Sequence, residues 1–201
     1  AQRSAGLPTY CGGNAQVADV NQDGWLDIIV YNKRGFLSVY LGGSQGYSQE
    51  RMWKIPLEGA GAGGLAAITC ADLNGNGWLD LIAVVMGHYT RANSGFYILH
   101  GGPDGFAEER IEFHGTDASS ILISVADLNN DGHLDLLVPA YSTKFTRELP
   151  AHLYWGNGEG GFDFDHPLVI PCDASCAFLA IDISGNGYRD LLTVCHRNDL
   201  G

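Results

Sequence analysis

The chain has 201 residues, 45% of them hydrophobic and 17% charged, with 28 glycines, a mixture suited to one globular, turn-rich domain of short strands. A formal charge of −12 argues against nucleic acid as a partner, because nucleic acid rewards basic surfaces. No apolar run is long enough for a membrane span, and the start from Ala1 to Gly6 shows no signal peptide, as would be true of a mature secreted protein.

In chain order, Leu7-Pro8 reads as the end of a preceding repeat, matching Ile55-Pro56 and Ile170-Pro171. The first repeat then runs through Val17-Ala-Asp-Val-Asn-Gln-Asp-Gly-Trp-Leu-Asp27 into an aliphatic strand, Ile28 to Val30. A third strand is expected over Phe36 to Leu41, then a glycine-rich turn from Gly42 to Gly46, then a fourth strand from Tyr47. The second repeat has the same order: Ala66 to Cys70, the loop to Asp80, Leu81 to Val85, Phe96 to His100, the turn Gly101 to Gly105, and a strand from Phe106. The third gives Ile121 to Val125, the loop to Asp135, Leu136 to Val138, His152 to Trp155, the turn Gly156 to Gly161, and a strand from Phe162. The fourth supplies the loop Ala180 to Asp190 and Leu191 to Val194, and stops at Gly201 before a third strand. The first aspartates of the four loops, Asp19, Asp72, Asp127 and Asp182, lie 53, 55 and 55 residues apart. Self-similarity at this period, with four short strands per unit, describes blades of a β-propeller. The expected fold is therefore all-β, with about three and a half blades of four antiparallel strands: 9–60, 61–117, 118–172 and an incomplete 173–201. The whole of 1–201 is expected to be one propeller region within a larger propeller, because an open arc leaves two exposed edges.

The loop pattern Asp-x-Asn-x-Asp-Gly-x-x-Asp sets oxygen donors at alternate positions of a tight turn, which is the chemistry calcium requires. In loop one the donors are Asp19, Asn21, Asp23, the carbonyl of Trp25, and Asp27; in loop two, Asp72, Asn74, Asn76, Trp78 and Asp80. Loop three offers Asp127, Asn129, Asp131, His133 and Asp135, and loop four Asp182, Ser184, Asn186, Tyr188 and Asp190. Gly24 permits the sharp turn in loop one. An EF-hand is excluded, because its twelfth position needs Glu between helices, and here that position is Val30, Ala83, Val138 or Thr193 in strand-like runs. The loops hold ten of the 23 acidic residues, so up to four calcium ions would bring −12 to about −4. Loops one and three carry three carboxylates each against two in the others, so they are expected to bind most tightly. His133 is expected to contribute only its carbonyl, and the side chains of Trp25, Trp78 and Tyr188, at the same position, are expected to pack beneath their loops.

These loops, with Phe-Gly and Gly-aromatic punctuation, resemble FG-GAP/VCBS repeats, the blades of integrin α-chains and many secreted bacterial proteins. The resemblance implies a secreted, extracellular or periplasmic setting. It also implies that each calcium loop joins strands one and two on one face, with the connections from strand two to strand three on the other. Those connections hold Lys33, Arg34, His88, Tyr89, Arg91, Tyr141, Lys144 and Arg147, the expected ligand-binding residues. Basic and aromatic side chains there suit acidic sugars or acidic protein patches.

The expected role is a calcium-stabilised adhesion or recognition module for a glycan or an extracellular protein, not an enzyme. Alternatives are the propeller part of a polysaccharide-processing enzyme and a unit that self-associates through its open edges. Gly156, Gly158 and Gly161 mimic a dinucleotide fingerprint, but no helix follows, so a hairpin turn is expected. Of five cysteines, Cys70 is expected as a free core thiol, Cys172 and Cys176 as a small disulfide loop, and Cys11 and Cys195 are unassigned.

Overall fold

The computed structural model describes residues 6–7, 14–32, 35–57, 65–85 and 94–195. Strands β1 (Ala15–Ala18), β2 (Asp27–Asn32), β3 (Phe36–Tyr40) and β4 (Met52–Pro56) form an antiparallel sheet in that order. A second sheet repeats it with β5 (Leu65–Ala71), β6 (Asp80–Val85), β7 (Gly95–Leu99) and β8 (Ile111–Gly115). A third contains β9 (Ser124–Ala126), β10 (Asp135–Val138), β11 (Ala151–Tyr154) and β12 (Leu168–Ile170). A two-stranded sheet of β13 (Ser175–Ile181) and β14 (Asp190–Cys195) completes the described residues. The expected blades are present, and the tract around Leu7-Pro8 lies largely outside the described residues. Among the described residues, no helix is long and apolar enough to cross a membrane.

The sheets stack face to face. Alternate side chains of a strand point to opposite faces. Leu81, Ala83 and Val85 of β6 therefore pack with Ile29, Leu37 and Ile55 of the first sheet, while Ile82 and Val84 pack with Ile123, Leu136 and Val138 of the third. Phe178 of β13 closes on Leu137, Ala151 and Leu153 in the same way. This two-sided burial explains why β6 reads as an unbroken apolar run without alternation. Each fully buried aliphatic side chain contributes roughly 1.5–3 kcal/mol, so the interfaces between sheets hold the array together.

A polar ladder also links neighbouring sheets. Gln16 Nε2 donates to the carbonyl of Ile68 (2.8 Å), Thr69 Oγ1 to that of Ile123 (2.8 Å), and Ser124 Oγ to that of Phe178 (2.6 Å). Each donor stands three residues before the first aspartate of its loop, on the first strand of its sheet.

Two expectations need correction. The fourth strands begin at Met52, Ile111 and Leu168, later than Tyr47, Phe106 and Phe162. In the first two sheets the chain leaves the glycine turn through a short 3-10 turn, Gln49–Arg51 or Glu108–Arg110, before it can pair. In the third, Phe162 makes only an isolated bridge to Gly156, which does confirm the hairpin reading of that glycine cluster. The Cys172–Cys176 disulfide does not form; the two Sγ atoms face the carbonyls of Ile170 (3.5 Å) and Ala174 (3.7 Å) instead. Cys70 is a free, half-buried thiol whose pKa burial pushes up to about 12, so it stays protonated and inert.

Candidate functional site

All four aspartate loops close by one hydrogen-bond scheme. The first aspartate accepts the amide at position five through one oxygen: Asp23, Asn76, Asp131 and Asn186 each donate to it at 3.1 Å. Its other oxygen accepts the amides of Gly24 (2.8 Å), Gly77 (2.8 Å), Gly132 (3.0 Å) and Gly187 (2.8 Å). The side-chain oxygen at position five then accepts the amide at position seven, as Trp25 donates to Asp23 at 2.9 Å and His133 to Asp131 at 2.8 Å. In loops one to three, Asn21, Asn74 and Asn129 accept the position-five amide as well. Ser184 of loop four does not reproduce that bond, and its amide instead approaches Asp190 at 3.3 Å.

Such tight curvature needs left-handed backbone at two places. Position six is Gly24, Gly77, Gly132 or Gly187, with φ between 85° and 89°. Position four is Gln22, Gly75, Asn130 or Gly185, with φ between 59° and 69°. The sequence reading identified the glycine at position six; position four went unnoticed because Gln22 disguises the preference that Gly and Asn express.

The ninth-position aspartates have a second job. Asp27, Asp80 and Asp135 are fully buried. One oxygen of each accepts the position-two amide, from Val20 (3.0 Å), Leu73 (2.9 Å) or Leu128 (2.9 Å). The other accepts the first glycine of the later turn, Gly42 (2.7 Å), Gly101 (2.8 Å) or Gly156 (3.0 Å). Each carboxylate thus staples its loop to the turn that follows the third strand. A Cβ on any of these glycines would run into the carbonyl of Leu26, Leu79 or Leu134, so the turn can come this close only as glycine. Burial raises the Asp27 and Asp135 pKa values above the usual carboxylate range, against the lowering effect of the two amides; the neighbouring loop carboxylates raise them further.

The residues present fit a hard cation. Among the described residues no three of His, Cys, Asp and Glu converge as a metal set, so any ion would rely on mixed carboxylate, amide and carbonyl oxygens. The donors alternate along each loop, and carboxylate oxygens that accept one amide keep further lone pairs. Crowding of like charge, which already pushes Asp27 and Asp135 upward, is what a cation would relieve. Two of the three position-seven aromatic side chains depart from expectation: Trp25 is 49% and Tyr188 68% exposed, while Trp78 is half-buried; the His133 side chain is exposed as well. The loops hold their shape through amide–carboxylate bonds and need no side chain beneath them.

At the opposite end, the connection from β10 to β11 carries the described part of the expected ligand face. Arg147 lies over the ring of Tyr141 at 4.9 Å, and Lys144 is 5.8 Å from that of Phe145, which is 89% exposed. Lys33, Arg34, His88, Tyr89 and Arg91 lie outside the described residues. Sequence reasoning missed a cavity of about 660 Å³ on this same end, lined in part by Asp117, Thr143, His152 and Tyr154. Its walls join the end of β8 and the 116–120 connection to β10, β11 and the connection between them, so no local motif announces it.

Successive antiparallel sheets, each with its aspartate loop between strands one and two, define a β-propeller-type repeat array. Residues 19–83 match the family model of an FG-GAP-like repeat, which supports an FG-GAP-type reading of that segment. Repeats of this kind are typical of extracellular proteins. No curated protein matches the chain.

Proposed function

We propose that this chain is a calcium-stabilised extracellular recognition module that binds a glycan or protein ligand on the face opposite its calcium loops. The observation that carries the reading is the fourfold recurrence of one oxygen-lined loop geometry. The residues that would hold the ions are Asp19, Asn21, Asp23, Trp25 and Asp27 and their counterparts in the other loops. Bound calcium would supply fixed positive charge to each loop; the chain's own part is to hold the donors in place through the amide bonds described above. Binding, not catalysis, is the proposed role, because a rigid stack of sheets presents its connections as a fixed surface.

Thermal unfolding in calcium and in excess chelator, with magnesium as the control ion, tests the calcium reading. A ligand that binds only the folded state stabilises it by mass action, so chelation is expected to lower Tm clearly. An unchanged Tm would remove calcium from the proposal. A glycan array in calcium buffer, repeated with chelator, tests the ligand. A second reading, self-association, is favoured by the exposed Leu179, Ile181, Leu192 and Val194 on the β13–β14 sheet. A mass that does not change with concentration would count against it.

A further inference from the structure

We infer that the four aspartate loops work as two coupled pairs, in which the side chain at position four of a carboxylate-rich loop braces the carboxylate-poor loop beside it. The pairing deepens the proposed function: it rests on the calcium reading for what the bracing achieves, and on the loops' own hydrogen bonds for its existence.

Two hydrogen bonds cross from one repeat to the next. Gln22 Nε2 of loop one donates to the carbonyl of Gly77 in loop two (2.7 Å), and Asn130 Nδ2 of loop three donates to that of Gly187 in loop four (2.9 Å). Each time position four gives and position six of the following loop receives. At the junction between loops two and three, position four is Gly75, which has no side chain to give. A Cβ built on Gly75 meets nothing within 4 Å, so crowding does not forbid a donor there. This route therefore joins loop one to loop two and loop three to loop four, and stops between the pairs.

The bond lands on a peptide that matters for the receiving loop. Positions six and seven share one planar peptide, so fixing the carbonyl of Gly77 also fixes the amide of Trp78. That amide donates to Asn76 Oδ1 (2.8 Å), and the amide of Tyr188 donates to Asn186 Oδ1 (2.9 Å). The plane is thus held at both ends, by the neighbouring loop on one side and by position five on the other. It aligns the side-chain oxygen of position five and the approach of the chain to position seven, two of the five proposed donor positions. The receiving loops are the two with Asn at position five and two carboxylates; the giving loops have Asp23 or Asp131 there, and three. Support passes from the loop with more charge to the loop with less.

The giving side chain is ordered by its own loop. Gln22 and Asn130 have left-handed backbone, with φ of 59° in each. Each lies between two proposed donors whose side chains bond across it, Asn21 to Asp23 at 3.1 Å and Asn129 to Asp131 at 2.8 Å. Filling the giving loop restrains the residue at position four, and a restrained side chain makes its hydrogen bond at lower entropic cost. By linkage the effect runs in both directions.

Gln22→Gly and Asn130→Gly test the pairing, since each places the residue of loops two and four at a backbone conformation glycine adopts freely. Tm establishes that both variants fold. Amide exchange followed by NMR on the full chain, first in chelator, is expected to show the Trp78 amide about three- to tenfold faster in Gln22→Gly. The Tyr188 amide is expected to quicken by as much in Asn130→Gly, with the other pair unchanged in each variant. Calcium titrated into the same samples is expected to bind loop two about three- to tenfold more weakly in Gln22→Gly, with loops three and four as in the parent. Asp19→Ala, which removes a donor from loop one, is expected to weaken loop two in the parent and to add nothing in Gln22→Gly. Unchanged exchange at Trp78 and Tyr188 would overturn the pairing, as would effects spread equally over all loops or an Asp19→Ala effect that persists without Gln22. Faster exchange confined to the paired loop, with no response to calcium anywhere, would support the bracing and end the calcium reading instead.

Discussion

Asp80→Ala, measured in excess chelator, separates the stapling role of the ninth-position aspartate from any role in holding an ion. Asp80 is fully buried and accepts two amides, Leu73 at 2.9 Å and Gly101 at 2.8 Å. Truncation leaves both amides without an acceptor in a site closed to solvent, at about 1–3 kcal/mol each. Allowing for water entering the vacated space, the expected loss is about 2–4 kcal/mol, or a Tm lower by roughly 4–16 °C for a domain of this size. Asp72 in the same loop accepts the amides of Asn76 and Gly77 at positions exposed to solvent. Water replaces it there, so Asp72→Ala is expected to cost about 1 kcal/mol under the same conditions. The assay is urea unfolding followed by tryptophan fluorescence, with chelator in every sample. If the two variants lose equal stability without metal, the staple argument is wrong, and the ninth aspartate matters only through an ion.

Three further predictions concern other elements. In calcium, Asp127→Ala is expected to cost more stability than Asp182→Ala, because loop three holds three carboxylates and loop four two; melts giving the reverse order would defeat carboxylate counting. Gly101→Ala is expected to destabilise by at least about 1–3 kcal/mol, since its Cβ would strike the Leu79 carbonyl, and a melt indistinguishable from the parent would show that the turn can relax. His114 is half-buried beside Phe96 (5.3 Å) and Phe164 (4.1 Å), and that burial holds its pKa below the usual imidazole value despite Glu112. Its neutral form contributes stability above the unfolded imidazole pKa, and that contribution is lost as pH falls through the lower folded value. His114→Phe is therefore expected to flatten the fall in stability below about pH 6.5, and parallel pH curves for variant and parent would refute this.

Much of this architecture was legible because its determinants are local. The loop motif fixes its own hydrogen bonds, and the strand after it, Asp80–Val85 for example, starts at the last motif residue. The fourth strands were misplaced because aromatic residues after a glycine turn look like a strand start, whereas Phe106 packs edge-on against Trp53 of the previous sheet before pairing begins. Gly42, Gly101 and Gly156 read as ordinary turn glycines; only the nearness of a carbonyl from a distant loop gives them their constraint. The cavity brings Asp117 of the connection after β8 beside Tyr154 of β11, a juxtaposition that no window of sequence contains.

The ladder of Gln16, Thr69 and Ser124 has a direction. Each of the first three sheets carries the donor for the next, and the bond is received on a backbone carbonyl, which every residue type possesses. A newly copied repeat inserted anywhere in the series would find both halves of the joint already present, without matching changes on either side. The side chain at the joint is correspondingly interchangeable among amide and hydroxyl donors, and Leu179 in the fourth repeat shows the same place taken by a residue that cannot donate. Growth by duplication is thus built into the chemistry of the seam, and a single substitution at one strand position is enough to make a junction there that is purely apolar.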